Sequence, residues 1–150
     1  MKEEIKVETH VRDLLASQKF AVLSTQEQDN PYLNLVAFAA TSDLRTLLLA
    51  TPRATRKYGN LSSKSGVALL VDNRSNDAAD ISEAMALTII GVALEVSDSE
   101  RERFARVYLE KQPHMEEFLS SPSTALIKVD VESYFLVSRF ENVSTLNFKS

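Results

Sequence analysis

The chain has 150 residues, 44% of them hydrophobic and 25% charged, with a formal net charge of −4 and no cysteine. That is the size of one domain, residues 1–150, able to bury a core without cross-links, and its acidic balance argues against general nucleic-acid binding. The missing cysteines exclude a thiol nucleophile and a thiolate metal site, and no apolar run reaches the 18 residues of a membrane span. Met1-Lys2-Glu3-Glu4 is charged and leads into no signal-peptide core, so the expected compartment is the cytoplasm, with no membrane partner.

Ile5, Val7, Val11, Leu14 and Leu15 recur at helical spacing, which predicts an amphipathic helix over 4–17. A short strand follows over Lys19 to Thr25, then a polar turn, Gln26 to Pro31, and a second strand, Tyr32 to Ala40. The tight Thr41-Ser42-Asp43 connection leads to a third strand, Leu44 to Thr51, so the segment reads as an antiparallel meander. A helix over Thr55 to Lys64 interrupts it before the strand Val67 to Asp72. Asn73 to Glu83 is a polar loop, long enough to be functional or mobile. Met85 to Val96 is the longest predicted strand, with Gly91 marking a bulge or bend.

Ser97-Asp98-Ser99-Glu100 has the form of a capping box for a helix with Phe104, Val107, Tyr108 and Leu109 on its apolar side. Pro113 opens a shorter helix through Leu119, and strands over Ala125 to Val131 and Tyr134 to Phe140 finish the sheet. Six or seven mostly antiparallel strands with short helices describe a mainly β small barrel. A β-sandwich with added helices fits the pattern as well.

The chemistry is narrowed by what is missing. The two histidines, His10 and His114, are far apart and in no ligand spacing, so no metal site is expected. Three glycines, Gly59, Gly66 and Gly91, leave no P-loop and no Gly-x-Gly-x-x-Gly turn, and no Gly-x-Ser-x-Gly elbow is present. A chain of this kind that does redox or transfer chemistry borrows a cofactor.

One stretch stands out: Leu47-Leu48-Leu49-Ala50-Thr51-Pro52-Arg53-Ala54-Thr55-Arg56-Lys57-Tyr58-Gly59-Asn60-Leu61. A strand ends in a threonine, Thr55 is placed to cap a helix, and Arg56 and Lys57 fall in its first turn. Cations there oppose the helix dipole unless an anion joins them, and hydroxyls, free N–H groups and cations at one helix start suit a phosphate. Solvated surface charge is the plainer reading of any one of these cations.

This stretch, with Gly66-Val67-Ala68-Leu69-Leu70-Val71-Asp72-Asn73-Arg74 after it, resembles the FMN-binding split-barrel family related to pyridoxamine 5′-phosphate oxidase. The resemblance runs from about Leu14 to near Phe140 and implies a six- to seven-stranded antiparallel split barrel that binds FMN. It implies that Thr51, Thr55, Arg56 and Lys57 hold the flavin phosphate, with Arg53 beside them, and that backbone groups of Asn34, Leu35, Val36 and Ala37 meet the ring. Apart from the family, these four are strand residues, Leu35 and Ala37 on one face and Asn34 and Val36 on the other; Asn34, polar in an otherwise apolar strand, reads equally well as a solvent-facing residue. Asn73 and Arg74 are placed to reach a cofactor across a subunit boundary, while Asn76 and Asp77 read as turn residues.

The family pattern is incomplete. The C-terminal Arg-x-His pairing of the oxidases is absent from Ser138-Arg139-Phe140-Glu141-Asn142-Val143. Arg106 and Tyr108 lie on the corresponding helix without the surrounding motif, and Ala86 stands near a ring-contacting glutamine. Vitamin B6 oxidase activity is therefore not implied. What the resemblance implies is a homodimeric FMN-dependent oxidoreductase acting on a small molecule, with FMN at the subunit interface. Phe135, Leu136, Val137 and Phe140 are the apolar residues suited to that contact. A non-catalytic flavin carrier or sensor, or the same fold holding a deazaflavin, are the alternatives; haem lacks an axial histidine in the barrel.

Overall fold

The computed structural model describes residues 2–139 and 142–148. Seven antiparallel strands form one sheet: β1 (Phe20–Glu27), β2 (Asn30–Ala40), β3 (Thr46–Pro52), β4 (Gly66–Asp72), β5 (Met85–Glu95), β6 (Thr124–Ser138) and β7 (Asn142–Asn147). Their order is β3-β2-β1-β4-β5-β6-β7, and a further β3–β6 pairing closes the first six into a barrel with β7 outside it. The helices are α1 (Lys2–Ser17), α2 (Arg56–Ser63), α3 (Asp80–Glu83), α4 (Asp98–Lys111) and α5 (Glu116–Ser120), with a 3₁₀ turn over Pro113–Met115.

Alternation along the strands places the core. Leu23, Val36, Phe38, Leu47, Leu49, Leu69, Val71, Leu87, Ile89, Ile127 and Val129 point inward and are buried. The Val11, Leu14 and Leu15 face of α1 packs on the same core, as its helical spacing predicts; Ile5 lies outside the described side chains. A second cluster, with Phe104 and Tyr108 of α4 and Leu119 of α5, covers the outer side of Ala39, Leu48 and Leu126. α4 starts where the capping box sets it, although the Ser97 hydroxyl donates to the Glu100 carboxylate at 3.1 Å rather than accepting from an amide.

The last part of the sheet departs from expectation. The two predicted strands, Ala125 to Val131 and Tyr134 to Phe140, are one strand of 15 residues, because Glu132 is accommodated as a bulge opposite the Ile90/Gly91 step. Gly91 is needed there: a Cβ on it would stand 2.4 Å from the Asp130 carbonyl oxygen. Before the bulge one edge of β6 pairs with β3; after it the strand pairs with β7, which the sequence reading did not anticipate. Phe140 lies outside the described residues. β3 begins at Thr46 rather than Leu44, since Leu44 turns the hairpin with φ 64° while buried, its carbonyl accepting from the Tyr134 hydroxyl at 2.6 Å. The polar loop after β4 contains the short α3.

One irregularity in the barrel matters most. β3 pairs with β2 only at Phe38–Ala40, then leaves it to follow β6. Among the described residues no strand covers that side of β2 before Phe38, so alternate backbone groups along it lack a strand partner, although the Ala37 carbonyl accepts from the Tyr108 hydroxyl at 3.4 Å.

Candidate functional site

The gap between the open side of β2 and the end of β3 is bordered by α2. Thr51, the buried last threonine of β3, has its hydroxyl 3.0 Å from that of Thr55. Thr55 is the N-cap of α2: its hydroxyl accepts from the Tyr58 N–H at 3.2 Å and donates to the Pro52 carbonyl at 2.8 Å. The cap thereby orients the two threonines and claims one amide of the first turn. The N–H groups of Arg56 and Lys57, in the first turn, have no acceptor within the helix.

The cations of this corner differ in how far they are committed. Arg53 donates to Glu95 and to the Pro122 carbonyl, both at 2.6 Å, and the other Glu95 oxygen accepts from the Tyr58 hydroxyl at 2.8 Å. Glu95 thus ties the turn before α2 to its first helical turn. Arg56 places Nε 3.3 Å from Glu27 and its guanidinium carbon 5.1 Å from the Tyr32 ring centroid. Lys57 is half-buried with no ion pair among the described residues, and this desolvation lowers its ammonium pKa. A half-buried amine in that state gains from an incoming anion.

Asn34 and Val36 share the inward-leaning face of β2, and Leu35 and Ala37 the other, as the alternation predicts. Asn34 is not a plain solvent-facing residue: its Oδ1 is buried and has no hydrogen-bond partner. An orphaned acceptor of this kind asks for a donor. Leu35 and Leu33 project outward, 70% and 63% exposed.

Asn73 and Arg74 do not join this corner within one chain. Asp72 pairs with Ala86, nine residues along β5 from Glu95, roughly 30 Å away at the usual rise. There the Asn73 side chain accepts from the Met85 N–H at 2.8 Å, and Arg74 pairs with Asp72 at 2.9 Å. Asn76 and Asp77 are turn residues as expected, their N–H groups donating to the Asp80 carboxylate. Sequence reasoning missed Glu27 and Tyr32, which engage Arg56, and Glu95, which binds Arg53 and accepts from Tyr58; no motif marks residues brought together only by the fold. Among the described residues no group of three acidic, histidine or cysteine side chains could hold a metal, and no helix is long and apolar enough to cross a membrane.

A barrel opened along one strand, with a hydroxyl-and-cation corner at the opening, defines a split-barrel protein. The family model described as pyridoxamine 5′-phosphate oxidase matches residues 7–138, and the chain belongs to that family. No curated protein sequence matches the chain. Similar solved structures include a heme-binding protein from Mycobacterium smegmatis, with TM-score 0.81, 14% identity and 91% of this chain covered. This chain spans 55% of that protein's length. A FAD-binding protein from Mesorhizobium loti gives TM-score 0.68 at 11% identity, covering 85% of this chain and 91% of that one. A putative pyridoxamine 5′-phosphate oxidase from Listeria innocua gives TM-score 0.64 at 20% identity, covering 95% and 99%. At these identities the likeness is one of fold.

Proposed function

We propose that this chain is an FMN-binding flavoprotein, a homodimer that acts as a flavin-dependent oxidoreductase on a small molecule. The observation that carries the reading is the α2 corner: two coupled threonine hydroxyls, free first-turn amides and a half-buried Lys57 without a carboxylate. In it Thr55, Arg56 and Lys57 hold the phosphate through charge-assisted bonds, and the expected contact from Thr51 becomes indirect, because that threonine is fully buried and meets the Thr55 hydroxyl instead. Arg53, bound to Glu95, supports the turn from behind. Residues Asn34 to Ala37 offer the ring an open strand side and the unpaired Asn34 Oδ1. FMN, when bound, supplies hydride and electron transfer that no side chain here supplies. The chain's part is to anchor the phosphate, orient the ring along β2 and exclude water from it.

The outer face of the sheet supports the dimer. Phe20, Leu33 and Leu35 are more than half exposed, and Val22, Ala37 and Leu70 continue the same face across β1, β2 and β4, while Phe135 and Val137 point outward on β6. Leu136 leaves the expected contact set, because alternation turns it into the core at 5% exposure. An isologous pairing through this face would cover a shallow flavin site and bring the partner's far end of β5, with its Asn73 and Arg74, toward the ring.

The test is a fluorescence titration with FMN and riboflavin beside sedimentation equilibrium. The expected outcome is FMN bound at least tenfold more tightly than riboflavin, by a species of twice the chain mass. Equal affinity for the two flavins overturns the phosphate anchor, and a monomer that holds FMN overturns the shared site.

A further inference from the structure

A second cavity, of about 710 Å³, opens between α1 and the β6–β7 hairpin. That volume is within the usual range for small-molecule sites. It is separate from the α2 corner. It lies by the Met85 end of β5 and the Ser138 end of β6, whereas the corner lies by Glu95 and Thr124 at the other ends of those strands. Its floor includes Val7 and Leu136, residues of the core side, so it also faces away from the outer apolar sheet face.

Its charges are uncommitted. Lys6, His10 and Arg139 line it against one acid, Glu83. The other arginines of the chain are engaged. Arg12, Arg53, Arg56, Arg74, Arg103 and Arg106 pair with carboxylates; Arg101 donates to the Leu119 carbonyl, and Arg45 stacks on Phe148. Arg139 has no such contact among the described residues, and Lys6 has no ion pair there.

The backbone at Arg139 makes the choice of residue informative. It turns the β6–β7 hairpin with φ 53°, in the left-handed region where glycine or asparagine is the easy occupant. An arginine placed against that preference, beside a cation-lined cavity, points to a use for its side chain.

We propose that this cavity binds a small carboxylic acid with an apolar body. The guanidinium of Arg139 takes the carboxylate in its planar fork, with the Lys6 ammonium and an imidazole N–H donor of His10 on the α1 side. The body rests on Val7, Met85 and Leu136. Among the described lining residues the fixed charges are Lys6 and Arg139 against Glu83, an excess of positive charge that suits a monocarboxylate.

The probe is benzoate, followed by amide and imidazole NMR shifts in the full chain, with benzyl alcohol as the uncharged counterpart. Saturable shifts at His10 and Ser144 are expected, with benzyl alcohol at least tenfold weaker. Arg139→Gly relieves the left-handed backbone, so its thermal midpoint should equal or exceed that of the parent while benzoate affinity falls at least tenfold. The double variant Arg56→Ala/Lys57→Ala should bind benzoate as the parent does, which separates this site from the flavin reading. Absence of saturation, equal binding of benzyl alcohol, or undiminished binding by folded Arg139→Gly overturns the proposal. Loss of benzoate binding in the double variant would move the site to the α2 corner and overturn it too.

Discussion

Basic side chains from the helices gather at both ends of β3, and the two ends use them in opposite ways. At the Thr46 end, Lys111 and Arg12 line a cavity of about 480 Å³ between α1, α4 and the β2–β3 hairpin. Lys111 donates to the Leu15 carbonyl at 2.6 Å, in the last turn of α1, and its Nζ sits 3.7 Å from the Phe38 ring centroid. Arg12 donates to the Ser42 carbonyl at 2.6 Å. These cations satisfy chain carbonyls and join helices to the barrel. At the Thr51 end, Arg56 is shared between Glu27 and Tyr32, and Lys57 has no ion pair among the described residues. The lesson is that the number of cations does not define an anion site; what matters is which of them the fold leaves unclaimed.

The sharpest way to break this comparison is at the α2 corner. Arg56→Ala/Lys57→Ala should weaken FMN binding by about 3–6 kcal/mol, on the order of 10²–10⁴-fold, at about 1.5–3 kcal/mol per charge-assisted bond. The urea midpoint should hardly move. Unchanged flavin affinity in a fluorescence titration would place the phosphate elsewhere.

The opposite pattern is expected at the other end. Lys111→Met keeps the stem but leaves the Leu15 carbonyl without its donor, costing about 1–2 kcal/mol in chemical denaturation with FMN affinity intact. Burial pushes the Lys111 ammonium down to about 8. Between pH 8 and its ordinary 10.5 the unfolded chain holds a proton that the folded chain has released, so Lys111 makes stability rise with pH through that window. Burial pushes Tyr108 up to about 12 and Tyr134 up further, which lowers stability above pH 10. Denaturation from pH 7 to 10 should therefore show a rise that Lys111→Met flattens. An identical slope in the variant would contradict the assignment.

A smaller effect comes from Glu27. Glu27→Gln removes a negative charge beside the corner and frees Arg56 Nε, which should tighten FMN two- to fivefold at low salt, about 0.4–1 kcal/mol. Calorimetry at two ionic strengths checks it, and the gain should shrink as salt rises.

Some of this was readable from sequence because it depends on neighbours along the chain. Thr55 caps α2 because the first helical turn needs an acceptor within three residues, and Arg56 and Lys57 follow it by position alone. Gly91 announced its bend because a missing Cβ matters where strands cross closely. The strand between Tyr134 and Ser138 was legible, but its continuity with Ala125 to Val131 was not, since a bulge at Glu132 looks like a break when partners are unknown. Asn34 was legible as a polar residue in an apolar strand, yet whether its oxygen met water depended on what packed around it.

Periodicity, capping and the Thr-x3-Thr-Arg-Lys spacing by themselves determined a mainly β domain with a cation-rich helix start. Those properties are set within a few residues, where local sterics and hydrogen bonding dominate. Tertiary structure decided the rest: β3 leaving β2 after Phe38, Arg53 captured by Glu95, Leu136 turned inward, and Lys111 and Lys57 given different partners. Each of these joins residues far apart in the chain. The balance of burial and pairing that settles them exists only once the barrel has closed.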